Sequence, residues 1–245
     1  MNTLYIRLPP RAVADSAPHL LALACPFALV SDDGEIEREG VEPLSNMSAT
    51  ITRMQRVVVL LGGSNVTILR VQVPPLSASR LKAALPNLVE EQLLCDPAEC
   101  VIVAGGLSDG LRTIAVVQRA WLELLAKVFI ALGARHIVAL PAQLCLPYQS
   151  GQKGQSDQPD SVTAAINAWA TNIDMTLRLS EQDGIGLVIS VDQNESAASV
   201  AIRTLCAVVP EAPITLYVPQ SAAHAYQEAA ALNKRINVFA DNWSH

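Results

Sequence analysis

The chain has 245 residues, enough for one large domain or for two lobes with hydrophobic cores of their own. Its formal net charge is −6 and it has no cluster of Lys and Arg. This argues against a nucleic-acid-binding protein, which needs a basic surface to replace the counterions of the phosphates. Hydrophobic residues make up 51% of the chain, but charged side chains interrupt its most apolar segment, residues 126–140, before it reaches the length of a membrane-spanning helix. The five cysteines are scattered and odd in number, as expected for reduced thiols in a cytoplasmic protein.

The first half of the chain begins with strand patterns. Residues 3–8 alternate between apolar and polar side chains and predict the first strand. Glycine-containing turns between apolar runs predict three hairpins, at residues 27–39 (turn at Asp33-Gly34), 56–73 (turn at residues 62–65) and 99–119 (turn at Gly105-Gly106).

A helix that contains a proline is predicted within residues 76–100. Leu81, Leu85 and Leu88 recur at helical spacing and predict one apolar face, and Ser77 or Ser79 can cap the start. Pro86 lies inside this pattern, where a proline removes a backbone donor and costs about 3 kcal/mol. We expect a kinked helix whose apolar face packs on the domain and whose acidic pair, Glu90-Glu91, is free.

A clear amphipathic helix follows at residues 119–133, with Gly133 as its stop signal. Its apolar stripe consists of Trp121, Leu125, Val128, Phe129 and Leu132. A short strand is predicted at residues 136–140. Residues 149–160 contain no large apolar side chain and predict an exposed linker or loop.

The pattern of strands followed by alternating helices and strands then starts again. The predicted strands are residues 162–170, 175–180, 185–192, 214–219 and 236–240, and the predicted helices are residues 195–209 and 221–232. Two similar halves predict a duplicated mixed α/β fold with two lobes. Two such halves that face each other across a cleft are the ribonuclease H-like architecture of actin-like ATPases, but the pattern alone does not select this specific fold. The expected first half is residues 1–148, with an inserted subdomain over about 56–119, and the expected second half is residues 161–245.

The residues that an actin-like nucleotide site needs are missing. Such a site grips phosphates with two glycine-containing turns and holds a metal ion with aspartates. The corresponding segments, residues 8–18 and 162–177, contain no glycine, and Asp174 is the only acid in the second. No P-loop or G-x-G-x-x-G pattern is present either. The nucleotide site is therefore predicted to be degenerate, although an actin-like ATPase with unorthodox loops remains the main alternative.

Other catalytic and metal-binding patterns are equally weak. Cys95 and Cys100 are five positions apart, which is not zinc-knuckle spacing, and no second Cys/His pair complements them. Glu90 and Glu91 point in different directions on a helix, so they do not form a carboxylate pair. We predict no catalytic, metal-binding or cofactor-binding residues and no enzymatic activity.

One segment resembles a known family. "VPPLSASRLKAALPNLVEEQLLCDPAEC", residues 73–100, is similar to the cytoplasmic region of the L-type inner-membrane platform protein of bacterial type II secretion systems. The shared positions are Leu76-Ser77, Arg80-Leu81, Ala84 through Glu91, Leu93-Leu94 and Asp96-Pro97. The opening "TLYIRLP" also looks like the family's first strand, and the weaker similarity extends over the whole chain.

The resemblance implies a scaffold with an actin-like fold that has lost its phosphate turns. Such a protein binds the N-terminal domain of the secretion ATPase and connects it to the other proteins of the inner-membrane platform. It also implies a place at the cytoplasmic face of the bacterial inner membrane, with attachment through a segment that this chain does not contain. A homodimer is plausible from the apolar composition, and an adaptor or ATPase of type IV pilus assembly is the alternative.

The resemblance does not assign the docking residues. We name four polar candidates on the proline-containing helix, Arg80, Asn87, Glu90 and Glu91. The alternative is that the shape of this helix serves packing on the domain and not a partner, and packing is the favoured cause of the kink.

Overall fold

The structure is a computed structural model that describes residues 2–148, 161–169, 172–192 and 194–241. Within them the chain divides into two compact units. Unit 1 contains Met1–Leu61 and Asn65–Pro141, and unit 2 contains Gly62–Ser64 and Ala142–His245. The predicted linker, residues 149–160, lies outside the described residues. The predicted division into halves stays a prediction.

The regular elements of unit 1 are eight strands and four helices. The strands are β1 (Thr3–Arg7), β2 (Ala24–Val30), β3 (Ile36–Pro43), β4 (Arg56–Leu61), β5 (Val66–Gln72), β6 (Cys100–Ser108), β7 (Leu111–Gln118) and β8 (Ile137–Pro141). The helices are α1 (Ala17–Ala22), α2 (Ser48–Arg53), α3 (Ala78–Val89) and α4 (Arg119–Ala131).

Five strands of unit 1 form one sheet in the order β3-β2-β1-β4-β8. The first three are an antiparallel meander, and β4 and β8 add to it in parallel. The predicted hairpin at Asp33-Gly34 is confirmed: β2 pairs with β3, and Gly34 has a φ of +84° that favours glycine. β4 is a continuous apolar run with Val57, Val58 and Val59 buried, as expected for a parallel strand covered on both faces.

Helix α4 confirms the clearest helix prediction. The predicted stripe is buried: Trp121, Leu125, Val128, Phe129 and Leu132 are each at most 9% exposed. The helix ends at Ala131, and Gly133, directly after the C-cap residue Leu132, has a φ of +94°. Gly133 N–H donates to Ile130 O at 3.0 Å and Ala134 N–H donates to Phe129 O at 2.9 Å. These two bonds form a Schellman motif, which satisfies the last carbonyls of the helix.

The inserted subdomain is a three-stranded sheet, in the order β5-β7-β6, with α3 packed on it. The predicted hairpin over residues 56–73 is wrong, because β4 pairs with β1 and β8 and β5 pairs with β7. β4 therefore belongs to the five-stranded sheet, and the subdomain begins after it.

The predicted turn at Gly105-Gly106 is also wrong. These glycines lie inside β6, where the register with β7 shifts between Ala104 and Leu107. The turn is formed by Asp109 and Gly110, both of which have positive φ, 53° and 76°. This is the dihedral combination of the Asp-Gly turn that matches the twist of a hairpin.

Unit 2 repeats the strand order of unit 1. Its elements are α5 (Ala142–Cys145), β9 (Val162–Trp169), β10 (Asn172–Arg178), β11 (Gly184–Ser190), α6 (Ala197–Val208), β12 (Ile214–Pro219), α7 (Ala223–Ala230) and β13 (Ile236–Asp241). The sheet order is β11-β10-β9-β12-β13, again an antiparallel meander followed by two parallel strands. Helices α6 and α7 cover one face, and the hydrophobic core there includes Leu205 of α6 together with Ile166 and Met175 of the sheet. Two sheets of the same topology confirm the predicted duplicated, actin-like fold class.

The segment Gly62–Ser64 packs on the sheet of unit 2 at very short distances. A Cβ placed on Gly186 of β11 would lie 1.9 Å from the carbonyl carbon of Gly63. The side-chain amide Nε2 of Gln143 donates to Gly63 O at 3.2 Å. Gly63 and Gly186 therefore permit a close approach of two backbone segments. The sequence instead predicts that the glycines at 62–63 form a hairpin turn.

No helix in the described ranges combines the length and the apolar character that crossing a lipid bilayer requires.

Candidate partner-binding surface

Helix α3 attaches to the inserted subdomain through one face. Leu85 and Val89 are 3% and 0% exposed and pack in a cluster with Val71, Cys100, Ile114 and Val116. Leu81 and Leu88 are partly buried against the same cluster. The predicted apolar face is thus the face that packs.

The start of α3 agrees only in part with the predicted cap. Ser77 occupies the N-cap position, and its carbonyl accepts from Leu81 N–H at 2.8 Å. Its hydroxyl, however, makes no cap hydrogen bond and lies 3.4 Å from the hydroxyl of Ser79.

The four polar candidates are exposed. Arg80 and Asn87 lie in α3 and share one face of it, because they are seven residues apart. This face is opposite Leu85. Glu90 and Glu91 lie in a 3-10 turn, Glu90–Gln92, which follows α3 directly and is not part of that helix. The structure therefore makes all four available for binding, and their role stays a prediction.

The charges of this surface do not stabilise the helix that carries them. Arg80 lies in the first turn of α3, and Glu90 and Glu91 follow its last turn. A helix dipole favours the reverse arrangement, by about 0.3–1 kcal/mol for each charge. In the part of the chain that the structure describes, none of the three forms a salt bridge. Charges held in an unfavourable place without an internal partner are available to an external one.

An exposed leucine beside this surface was not predicted. Leu94 is 109% exposed and follows the 3-10 turn. Because it lies beyond the end of the helix, helical periodicity gave no indication of its orientation. A large apolar side chain beside exposed charges adds the kind of contact that protein interfaces bury.

Pro86 lies three residues before the end of α3, so the carbonyl of Lys82 has no helical N–H to accept from. We expect Pro86→Ala to raise the free energy of unfolding by about 2 kcal/mol, since alanine restores this donor and the loss of proline's rigidity in the unfolded chain offsets part of the gain. Urea unfolding measures the change. Pro75→Ala, an exposed position before the helix, is the matched control. An unchanged or lower stability would mean that packing of the half-buried proline ring outweighs the missing hydrogen bond.

The segments expected to hold phosphate turns have other structures. The connection between β1 and β2 contains helix α1, and the Arg11 backbone N–H in it donates to Asn65 Oδ1 at 2.9 Å. In unit 2, the residues that join β9 to β10 lie outside the described ranges. Asp174, the acid of that segment, is 1% exposed inside β10.

Cys95 and Cys100 come together in space, with their sulfur atoms 3.4 Å apart. Among the described residues, no group of three or more His, Cys, Asp or Glu side chains is placed to hold a metal ion.

Neither a model of a known protein family nor a curated protein sequence matches the chain. Solved structures do share its fold. One is the cytoplasmic domain of EpsL, an inner-membrane component of the type II secretion system of Vibrio cholerae, with a TM-score of 0.63 and 19% identity over 89% of this chain and 83% of that one. This chain has the EpsL fold. Another is a PilM-PilN type IV pilus biogenesis complex, with a TM-score of 0.58 and 13% identity over 98% of this chain and 88% of that one.

Residues 73–100 resemble the cytoplasmic region of the L-type platform protein, and this resemblance is confirmed because the chain shares its fold with the cytoplasmic domain of EpsL. At these sequence identities the likeness establishes the fold alone. The roles of Arg80, Asn87, Glu90 and Glu91 are therefore proposals that rest on their exposure and charge.

Proposed function

We propose that this chain is a non-catalytic adaptor of a type II protein secretion machinery. In this proposal it recruits the secretion ATPase, through that protein's N-terminal domain, to the inner-membrane platform. The observation that carries the proposal is the exposed, internally unpaired charge on α3 and the following turn, in a chain with the EpsL fold. A scaffold needs such a surface and does not need a catalytic site.

The docking surface in this proposal consists of Arg80, Asn87, Glu90 and Glu91. We expect its acidic end to meet a basic patch on the ATPase domain, since charge complementarity raises association rates and selects partners. The packed face of α3 holds the surface on the three-stranded sheet, so that the partner meets a preorganised helix.

We place the chain at the cytoplasmic face of the bacterial inner membrane, in contact with other platform proteins, where it forms a homodimer. No role in nucleic-acid binding is proposed, because the chain is acidic.

A nucleotide-binding protein of pilus assembly is the second candidate. The EpsL-like fold is shared with the structure of the PilM-PilN complex, which favours this candidate. The glycine-free segments 8–18 and 162–177 argue against it.

Calorimetric titration of the chain with two ligands separates these candidates. We expect heat of binding from the N-terminal domain of the cognate secretion ATPase and none from Mg-ATP. Binding of Mg-ATP without binding of the ATPase domain would reject the adaptor and support the nucleotide-binding protein.

Charge reversal tests the docking surface itself. We expect Glu90→Lys together with Glu91→Lys to weaken binding of the ATPase domain by at least about tenfold, because the change places like charges against a basic partner. The melting temperature is expected to hold or rise slightly, since lysine near a helix C-terminus is favourable. Calorimetry at two salt concentrations measures the affinity and its salt dependence.

The control is the double reversal of Glu181 and Glu211, which are exposed on unit 2 and change the net charge equally. Equal affinities of the two double variants would remove Glu90 and Glu91, and the turn that carries them, from the proposed interface.

A further inference from the structure

Two thiols of the inserted subdomain lie side by side. Cys95 Sγ and Cys100 Sγ are 3.4 Å apart, and neither is in a disulfide. Because a disulfide bond is about 2.05 Å long, the sulfurs have to approach by about 1.4 Å to become bonded. Rotation of one cysteine side chain can supply a displacement of this size.

The intervening residues hold the two cysteines in this arrangement. Asp96 Oδ1 accepts from Ala98 N–H at 2.8 Å, and Asp96 O accepts from Glu99 N–H at 3.0 Å. Pro97 begins the short 3-10 turn that these bonds close. Arg119 Nη2 donates to Cys100 O at 2.7 Å and fixes the start of β6. The turn therefore brings one sulfur to the other before any bond forms.

We propose that Cys95 and Cys100 are a thiol–disulfide redox site that hydrogen peroxide oxidises. In the first step the Cys95 sulfur attacks one peroxide oxygen, the O–O bond breaks, and sulfenic acid and water form. In the second step the Cys100 sulfur attacks the sulfenic sulfur, the S–S bond forms, and the hydroxyl group leaves as water with the thiol proton. Two thiols and one peroxide give one disulfide and two waters, so the sulfurs lose two electrons and the peroxide gains them.

The environments of the two sulfurs set the order of these steps. Cys100 is 3% exposed, whereas Cys95 is only partly buried and reaches solvent. Burial, with the neighbouring Cys95 and the carboxylates of Glu99 and Asp96, raises the pKa of Cys100 to about 11. Cys100 therefore stays a thiol at neutral pH, and Cys95 is the sulfur that meets the peroxide.

The site adds a property to the subdomain that the adaptor function does not require. A bond between these residues would close a ring directly after the turn that carries Glu90 and Glu91. Formation of the bond does not depend on whether that turn binds an ATPase, so the two proposals fail or succeed separately.

Peptide mapping tests the bond directly. The whole chain is treated with hydrogen peroxide at neutral pH, the remaining thiols are alkylated, and the protein is digested with trypsin and a Glu-specific protease without reduction. This digestion separates residues 92–99, with Cys95, from residues 100–112, with Cys100. We expect a linked pair of these two peptides that disappears on treatment with dithiothreitol.

Two serine variants make the result specific. Cys95→Ser is expected to abolish the linked pair, and Cys145→Ser, at an exposed cysteine outside the pair, is expected to keep it. The proposal is overturned if peroxide yields Cys95 and Cys100 only as alkylated or sulfinic residues, or links Cys95 to a second chain.

Discussion

Gly186→Ala is expected to destabilise unit 2 more than any exposed substitution. The added Cβ would lie 1.9 Å from the Gly63 carbonyl carbon and 2.1 Å from the Ser64 backbone nitrogen. Backbone atoms cannot rotate away as a side-chain tip can, so either β11 or the segment 62–64 has to move. We expect a loss of about 3 kcal/mol in the free energy of unfolding and a melting temperature about 10 °C lower.

Thermal unfolding followed by circular dichroism measures this loss. The control is Gly105→Ala, where the nearest atom to the added Cβ is Thr113 O at an ordinary 3.4 Å. The melting temperature of that variant is expected to be close to that of the unmodified chain. Equal melting temperatures for the two variants would mean that the close approach of Gly186 and Gly63 contributes nothing to stability.

The second large effect is expected for Leu85→Ala. Leu85 is 3% exposed in the small cluster between α3 and the three-stranded sheet. Truncation of a buried leucine costs about 2–5 kcal/mol, through lost transfer free energy and the cavity that remains. Because few other residues fill this cluster, we expect a loss near the middle of that range and local unfolding of the inserted subdomain.

Hydrogen exchange resolves the position of this unfolding. Faster exchange is expected in residues 66–118 and unchanged exchange in the helices of unit 2. Leu94→Ala serves as the control, since Leu94 is 109% exposed and its truncation is expected to change stability by less than about 0.5 kcal/mol. Leu85→Ala is also expected to weaken binding of the ATPase domain. Retained affinity in an unfolded subdomain would place the docking surface elsewhere.

Local sequence patterns were sufficient for most elements. The stripe of α4 repeats at helical spacing and ends at a glycine, and the Asp33-Gly34 turn lies between two apolar runs. These signals depend on a few neighbouring residues, whose periodicity and dihedral preferences are the same in any protein. The repeated order of such elements was enough to predict a duplicated fold.

Strand pairing needed more than the local pattern. β4 and β5 are adjacent in the chain with glycines between them, which predicts a hairpin, yet they belong to different sheets. The continuous apolar sequence of β4 was a signal for a buried parallel strand. Similarly, Asp109-Gly110 was a stronger hairpin signal than Gly105-Gly106, because both of its residues tolerate positive φ.

The sequence by itself determined the helices α3, α4, α6 and α7, most strands, the repeated order of elements and the missing phosphate-binding glycines, because each is carried by residues close together in the chain. Only the tertiary structure decided which strands pair, why Gly63 and Gly186 must lack side chains, which sides of α3 are exposed, and that Cys95 and Cys100 meet. These features depend on contacts between residues far apart in the chain or on the path of a turn. Their free energy comes from packing and hydrogen bonding in three dimensions, which no local pattern records.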